Sequence, residues 1–223
     1  MNHAIPGNTP VKTFACLLVS ALLLLNVGCA SSGSAGRESA LQTIEGVEAY
    51  RASAQEAKQQ VGETLSAMEA LPSAGSNLAS VYKRYVDQVK DMDDALEELR
   101  EQRGQMRSQF ASYQEQWFSS TVELENDTLR QAAQRRIEEV RTDFNAVTPM
   151  YNQVTESGQP FLNKLHEVRR YLANDLTVPA LKAVAPALEE ARQDASSFRT
   201  ALDRLIVQLT TLQESLQPET SGQ

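Results

Sequence analysis

The side chains that most often carry enzyme and metal chemistry are scarce in this sequence. The chain of 223 residues has two histidines, His3 and His166, and only the second lies in the body of the sequence. A metal site in a helical bundle typically needs paired Glu-x-x-His motifs, and a hydrolytic triad needs a histidine beside its nucleophile. Neither pattern is present, nor is a glycine-rich phosphate loop. We therefore expect no enzyme activity, no metal site and no cofactor, and we interpret His166 as a surface or interface residue.

Cys29 is the one residue whose surroundings indicate a specific modification. It ends an apolar, charge-free run from Phe14, FACLLVSALLLLNVGC. The core of that run, residues 14–25, is far shorter than the roughly 20 residues that span a bilayer, so residues 1–28 are predicted to be a signal peptide. The end of the run resembles the bacterial lipobox, whose cysteine is lipidated and becomes the new N-terminus. Gly28 and Cys29 fit it, whereas Asn26 stands where leucine is usual, and ordinary cleavage within Gly28-Cys29-Ala30 is the alternative.

Lipidation would fix where the protein resides. Each buried acyl CH₂ adds about 0.8 kcal/mol of membrane affinity, and stable anchoring takes more than one chain. The prediction is a bacterial envelope lipoprotein that faces the periplasm and is held in the membrane by its N-terminal lipid. Ala30, which is not aspartate, favours the outer over the inner membrane. Residues 29–37 are predicted to be the lipidated cysteine and a flexible tether, and residues 218–223 a disordered tail.

The net charge and the second cysteine limit the kinds of partner and covalent link that the sequence predicts. The net charge is −8, so the chain lacks the basic footprint of a nucleic-acid-binding protein. The other cysteine, Cys16, lies in the predicted signal peptide, which leaves no disulfide pair in the mature chain. A membrane and an unknown envelope protein are the expected partners.

Apolar residues repeat in steps of three and four over four long segments, 38–71, 77–119, 128–174 and 178–216. This periodicity predicts an all-α fold, an elongated antiparallel helical bundle or coiled coil that occupies residues 38–217. Because heptad seams can also be satisfied between chains, a homodimer stays open. Pro149 and Pro160 predict a kink or break near residues 146–160, and Pro186 a bend or restart in the fourth segment.

Short connections make neighbouring helices antiparallel, which predicts their register. That register puts the tether, the 120–127 turn and the tail at one end of the rod, with Trp117 and Phe118 as membrane-proximal contacts. The predicted neighbours are Leu99 and Val147, Met92 and Val154, Val168 and Val184, Val147 and Leu205, Val140 and Leu212, Gly158 and Ala195, Lys58 and Asp91, and Arg51 and Glu98.

Four features of the predicted bundle have two interpretations each. Arg103, on the apolar face of the second segment, is either ion-paired with Asp143 or Glu139, or a contact for an anionic ligand. Pro149, Gly158 and Pro160 form either a bend or a hinge. A basic cluster is either a solvated face or a contact for lipid head groups, and it comprises Arg130, Arg135 and Arg136. An aromatic set is either core or a lipid pocket, and it comprises Tyr82, Tyr85, Phe110, Tyr113 and Trp117.

Several short motifs resemble a known family. They are Trp117, Asn126-x-x-Leu129-Arg130, Gln159-Pro160-x-Leu162, and Val168-x-x-Tyr171-Leu172 leading into Asp175-Leu176-Thr177. These are similar to a bacterial lipoprotein family without an assigned function, the domain-of-unknown-function family numbered 2959. The basic-His-Asn run usual in that family is replaced by Ala173-Asn174-Asp175. The resemblance implies a helical periplasmic lipoprotein and supplies neither an activity nor site residues.

Two functions of different classes follow from these patterns. The first is a structural or adaptor lipoprotein, because the heptads are continuous and no catalytic constellation accompanies them. The alternative is a carrier whose bundle opens to hold a lipid or another apolar ligand. Its motivation is the aromatic seam, the proline bend and the thin layer expected between Gly158 and Ala195.

Overall fold

A computed structural model describes residues 32–217 of the chain, with side chains from residue 36 onward. It contains four long helices, α1 (Ser32–Glu69), α2 (Leu78–Val122), α3 (Asp127–Asn174) and α4 (Val178–Leu216), and a short 3₁₀ turn at Gly75–Asn77. The all-α fold class is confirmed. The predictions made for the signal peptide, Cys29 and the tail at 218–223 lie outside the described residues.

Helix α1 begins six residues before the predicted start at residue 38. Residues 32–37, which the sequence suggested to be tether, are therefore helical, and the tether prediction is wrong over that stretch. The physical reason is that extending an existing helix adds one hydrogen bond per residue, whereas nucleating one is costly. Ala35 and Arg37 are good helix formers, whereas Gly33 and Gly36 oppose the extension.

The short connections between helices are built from capping residues. Asn126 accepts hydrogen bonds through its side-chain oxygen from the backbone N–H groups of Thr128 and Leu129, and so caps α3. Thr177 caps α4 in the same way through Ala180 N. In the α1–α2 connection Gly75 has a φ of +52°, a left-handed conformation that glycine adopts without steric cost.

The prolines do not interrupt the helices. Helix α3 runs continuously through Pro149 and Pro160, and α4 through Pro186. The expected break near 146–160 and the expected restart at Pro186 are wrong. A proline removes one backbone hydrogen bond, but Val147, Val154 and Phe161 on the flanking turns of α3 are all buried. Packing on both sides therefore holds the helical path.

Each helix packs antiparallel against two neighbours, in the cyclic order α1–α2–α3–α4, and α4 closes against α1. The pairs α1–α2 and α3–α4 make the most extensive contacts, whereas α2 and α3 make the least. The core runs the length of the bundle. Its largest fully buried side chains are Tyr50, Tyr85, Phe161, Phe198, Met68, Leu71, Met92, Leu99, Met106, Leu165, Leu172 and Leu202.

Helix α1 differs from the other three in what it buries. Leu41, whose position fits the apolar spacing of the first segment, is exposed, while Ser39 and Thr43 are buried in the same stretch. Thr43 Oγ1 donates to Ser39 O at 2.9 Å, which satisfies the hydroxyl inside the helix. Small side chains on α1 let α2 and α4 approach closely.

The register between α2 and α3 differs from the prediction. Tyr85 contacts Leu165, and Phe110 stacks on Phe144 with ring centroids 3.7 Å apart. Relative to the predicted pairs Leu99 with Val147 and Met92 with Val154, α3 is displaced by one to two turns. The reason is that α2 continues to Val122 rather than ending at residue 119, so the turn is centred later in the chain.

The register between α3 and α4 is closer to the prediction. Gln208 Nε2 donates to Asp143 O at 3.2 Å, within one residue of the predicted alignment. Farther along, Gly158 faces the ring of Phe198 instead of Ala195. The expected thin layer is therefore filled by an aromatic ring.

The polar pairs predicted between α1 and α2 are wrong. Lys58 Nζ lies 2.5 Å from Asp203 Oδ1 on α4, not beside Asp91. Glu98 accepts a hydrogen bond from Gln102 on its own helix, and no ion pair joins it to Arg51 in the described part of the chain. Lys58 turns to α4 because that helix also packs against α1.

Candidate functional site

The separation between α2 and α3 is bridged by aromatic side chains of α2. The hydroxyls of Tyr82 and Tyr85 donate to the carbonyl oxygens of Arg169 and Leu165, each at 2.8 Å. Trp117 Nε1 donates to Ala133 O at 3.1 Å. These aromatic residues therefore join the two helices along their length, and they act as core and as bridges.

Arg103 lies in the middle of this seam, where its guanidinium covers the ring of Tyr151. Its Cζ is 4.2 Å from the ring centroid, which is a cation–π geometry. The predicted ion pair with Asp143 or Glu139 is wrong for the described residues, since Glu139 lies 3.8 Å from Arg136 instead. Arg103 is half-buried, and the ring takes the place of a carboxylate.

Tyr50 on α1 lies close to Arg103 and Tyr151. It is fully buried, and its hydroxyl has no hydrogen-bond partner among the described residues. Burial raises the pKa of Tyr50 well above its ordinary value, although the positive charge of Arg103 acts in the opposite direction. The neutral phenol is therefore strongly favoured in the folded bundle.

A groove of about 330 Å³ opens between α2 and α3 beside Tyr151. Leu96 and Leu99 line it from α2, and Val154 and Gly158 line it from α3. Its floor is the ring of Phe198 from α4. The groove is lined by both polar and apolar side chains, and Leu99, Val154 and Phe198 among them belong to the core.

A second groove, of about 430 Å³, lies at the end of the bundle where α2 turns into α3. Trp117, Phe118 and Val122 line it from α2, and Ile137 lines it from α3. Phe118 is 71% exposed and Val122 61% exposed, and Leu129, in the first turn of α3 but outside the lining of the groove, is 57% exposed. Large apolar side chains this exposed are common singly but are unusual as a cluster.

The two residues predicted to be membrane-proximal, Trp117 and Phe118, therefore lie together in this groove. Trp117 is half-buried and packs edge-on against Tyr113, with centroids 5.7 Å apart. Sequence reasoning missed Val122 as a member of this groove and Leu129 as an exposed apolar residue at the same end of the bundle. The available signal was the spacing of four residues from Phe118 to Val122, which puts both on one face of a helix.

The basic cluster beside this groove is largely paired. Arg130 contacts Asp127, and Arg136 contacts the carbonyl of Ser215 and lies near Glu139. Arg135 is exposed. This arrangement matches a solvated face, and contact with lipid head groups stays a hypothesis.

His166 pairs with an acidic side chain of the neighbouring helix α2. His166 Nε2 lies 3.1 Å from Asp93 Oδ1, across the α2–α3 seam. Within residues 32–217, no three His, Cys, Asp or Glu side chains are grouped to hold a metal ion. None of the helices that the structure describes is apolar and long enough to cross a membrane.

The family described as "Protein of unknown function (DUF2959)" matches residues 31–216, which include all four helices. The chain belongs to this family. No curated protein and no solved structure matches the sequence. The resemblance expected from the motifs around 117–177 is thereby confirmed, whereas its implication of a lipoprotein stays a prediction.

A substitution of Arg103 tests whether its contact with Tyr151 stabilises this member of the DUF2959 family. Replacing Arg103 with glutamine is expected to lower the free energy of unfolding by about 0.5–2 kcal/mol, because the half-desolvated guanidinium no longer covers Tyr151. Urea denaturation followed by circular dichroism measures the change. Arg107→Gln, at an exposed position one turn away, is the matched control and should stay within about 0.5 kcal/mol of the wild type. Equal effects at both positions would contradict a stabilising role for the pair.

Proposed function

We propose that this protein is a lipoprotein of a bacterial cell envelope, anchored through lipidated Cys29 and facing the periplasm, with the outer membrane favoured. Its bundle would serve as a rigid spacer or adaptor that presents its far end to an envelope protein. The role is structural and not catalytic. The proposal combines the lipobox-like sequence at Cys29 with the geometry of the described helices.

The observation that carries the proposal is the position of the start of α1. Ser32, three residues after Cys29, lies at one end of the bundle, beside the α2–α3 turn. The α1–α2 and α3–α4 connections lie at the other end. Helix α3 has 48 residues, which at about 1.5 Å per residue gives a rod roughly 70 Å long. A lipid at Cys29 would hold one end of this rod at the membrane and direct the other away from it.

Contacts between α1 and α4 support a stiff rod. Besides Lys58–Asp203, Arg192 Nε lies 2.9 Å from Glu69 Oε1, and Gln213 Nε2 donates to Glu48 Oε1 at 2.6 Å. Each such surface pair contributes only about 0–1 kcal/mol. All three obey one antiparallel register, so they resist sliding between the helices while the buried core supplies the stability.

The carrier alternative is less well supported. One of its three motivations is the thin layer expected at Gly158, and the ring of Phe198 fills that space. A homodimer is not required either, because the apolar seams of all four helices are buried within one chain.

The adaptor role is tested by site-specific photocross-linking in cells. A photoreactive amino acid at Val178, which is 58% exposed in the first turn of α4 at the far end, should give a reproducible adduct with one envelope protein. The same amino acid at Val207, an exposed site along the side of α4, is the control and should give none. A failure to obtain adducts at Val178 and at the neighbouring exposed Tyr171 would contradict the adaptor role.

A further inference from the structure

We propose that the end of the bundle formed by the α2–α3 turn inserts into the surface of the phospholipid bilayer. The inserting side chains are Phe118, Val122 and Leu129, which we call the apolar tip. This inference rests on the proposed anchoring at Cys29, and it adds a second contact with the same membrane.

The apolar tip lies level with the start of α1. The side chain of Thr43 contacts the carbonyl of Gln109, which aligns α1 with α2. From that contact, Ser32 lies about 16 Å towards the end of the rod, Phe118 about 14 Å and Val122 about 20 Å, at 1.5 Å per residue. Leu129 lies four residues beyond Ala133, which is bonded to Trp117, and so reaches about 18 Å. All four residues therefore fall within about one helical turn of one another along the rod.

The apolar tip lies close enough to Cys29 along the rod to meet the membrane that would hold the proposed lipid. Ser32 follows Cys29 by three residue steps, which even in a fully extended chain span only about 11 Å. Because α1 is already helical at Ser32, the described structure leaves no long tether there to lift the bundle away. An acylated Cys29 would hold the apolar tip beside the head groups.

Helix α4 ends before it reaches the level of the apolar tip. Ser215, near its last residue, is contacted by Arg136, which lies nine residues or about 13 Å into α3. The ends of α1, α2 and α3 thus project about two turns beyond α4. Among the described residues, the surface that would meet the membrane is therefore formed mainly by the α2–α3 turn and the start of α1.

The chemistry of the tip suits the interface and not the bilayer centre. Phenylalanine and aliphatic side chains partition to the boundary between head groups and acyl chains, and tryptophan is enriched there. Glu123 and Glu125 in the turn are exposed, and the nearest arginine, Arg130, is already paired with Asp127. The acidic turn limits the depth of insertion and favours zwitterionic over anionic lipids.

Two contacts with the membrane, the lipid on Cys29 and the apolar tip, would fix the orientation of the rod, which a lipid anchor alone does not. A lipidated cysteine alone lets a domain swivel about its anchor. With the apolar tip also embedded, the rod is held at a fixed angle to the membrane. The far end is then presented at a fixed distance, as a spacer requires.

The test uses single-cysteine labelling of the full chain, purified from membranes and reconstituted into vesicles of zwitterionic phosphatidylcholine. Phe118→Cys, Val122→Cys and Leu129→Cys each carry an environment-sensitive fluorophore, and Val178→Cys, equally exposed at the opposite end, is the matched control. We expect blue-shifted emission and quenching by brominated lipids at the three tip positions and neither effect at residue 178. Water-like emission at all four positions would overturn the proposal.

A parallel measurement separates this proposal from the anchoring itself. The same preparations are assayed for a fatty-acid label on Cys29. If Cys29 carries the fatty-acid label but the fluorescence of the tip is not quenched, the membrane insertion is contradicted and the anchoring is not. If Cys29 carries no label, the proposed anchoring is contradicted as well. Trp117, the single tryptophan of the chain, gives a check without any label. Its quenching by brominated lipid should be lost in Phe118→Ser/Val122→Ser, with circular dichroism showing that this variant is folded.

Discussion

Replacing Gly158 with alanine is expected to destabilise the bundle, although alanine is the better helix former. A Cβ at this position would lie 2.8 Å from Cε2 and 3.0 Å from Cζ of Phe198, closer than side-chain atoms pack. Phe198 is itself fully buried and cannot move into solvent. Overpacking of this kind typically costs about 1–3 kcal/mol, and Gly158→Leu should lie at or above the upper end of that range.

A matched control isolates the packing effect. Gly104 lies in the interior of α2 with no atom within 4 Å of an added Cβ, so Gly104→Ala should stabilise the bundle by about 0.5–1 kcal/mol through helix propensity. Urea denaturation of both variants gives the comparison. Adding Phe198→Leu to Gly158→Ala should cost less than the two single changes combined, because the smaller side chain relieves the clash. Equal stabilisation by the two alanine variants would contradict the close approach at Gly158.

The second large effect is a loss of stability at alkaline pH. Burial raises the pKa of Tyr50 and of Tyr85 well above the usual value near 10. It raises the pKa of the less buried Tyr82 and Tyr113 in the same direction. Above pH 10 the unfolded chain releases these protons while the folded bundle keeps them, so the unfolded state binds fewer protons. The free energy of unfolding must then fall as pH rises. Stability is fully present below pH 10 and is lost progressively above it.

Tyrosine-to-phenylalanine variants assign this loss to residues. Tyr85→Phe removes the hydrogen bond to Leu165 O, so we expect about 1 kcal/mol lower stability at pH 8. Tyr50→Phe removes a hydroxyl without a partner and should be neutral or stabilising at that pH. Both variants should lose less stability than the wild type between pH 9 and 11, measured by urea denaturation at each pH. The exposed Tyr171→Phe is the control, and an identical alkaline profile for all four proteins would refute the assignment.

The sequence allowed the helices to be predicted but not all of their alignment. Heptad spacing identifies a helix and its buried face because burial of apolar side chains dominates folding. Register depends in addition on where a helix stops. Three extra residues of α2 beyond 119 helped displace the whole α2–α3 seam. Gly158 faces Phe198 and not the predicted Ala195, one turn away, although the predicted ends of α3 at residue 174 and of α4 at residue 178 match the structure, so helix ends do not account for that difference.

The candidate sites show a similar division. Trp117 and Phe118 were identifiable from position and residue type. The cation–π contact of Arg103 with Tyr151 was not, since charge pairing is the usual expectation for a seam arginine and a tyrosine face carries no formal charge. Tyr50 was missed although Val47 and Ala54, three residues before it and four residues after it, are buried on the same face of α1. On a helix rich in alanine, serine and threonine, the pattern of small residues defines the buried face poorly.

The central claim is that a lipid on Cys29 holds the bundle at the membrane. It is tested most directly by growing cells that express the full chain or Cys29→Ser with a clickable fatty acid, followed by fractionation. The account predicts a labelled wild-type protein in the membrane fraction and an unlabelled Cys29→Ser protein that is not retained there. Asn26 departs from the usual lipobox, so this experiment also decides whether that departure is tolerated. A wild-type protein without label, or an equal label on both proteins, would contradict the account.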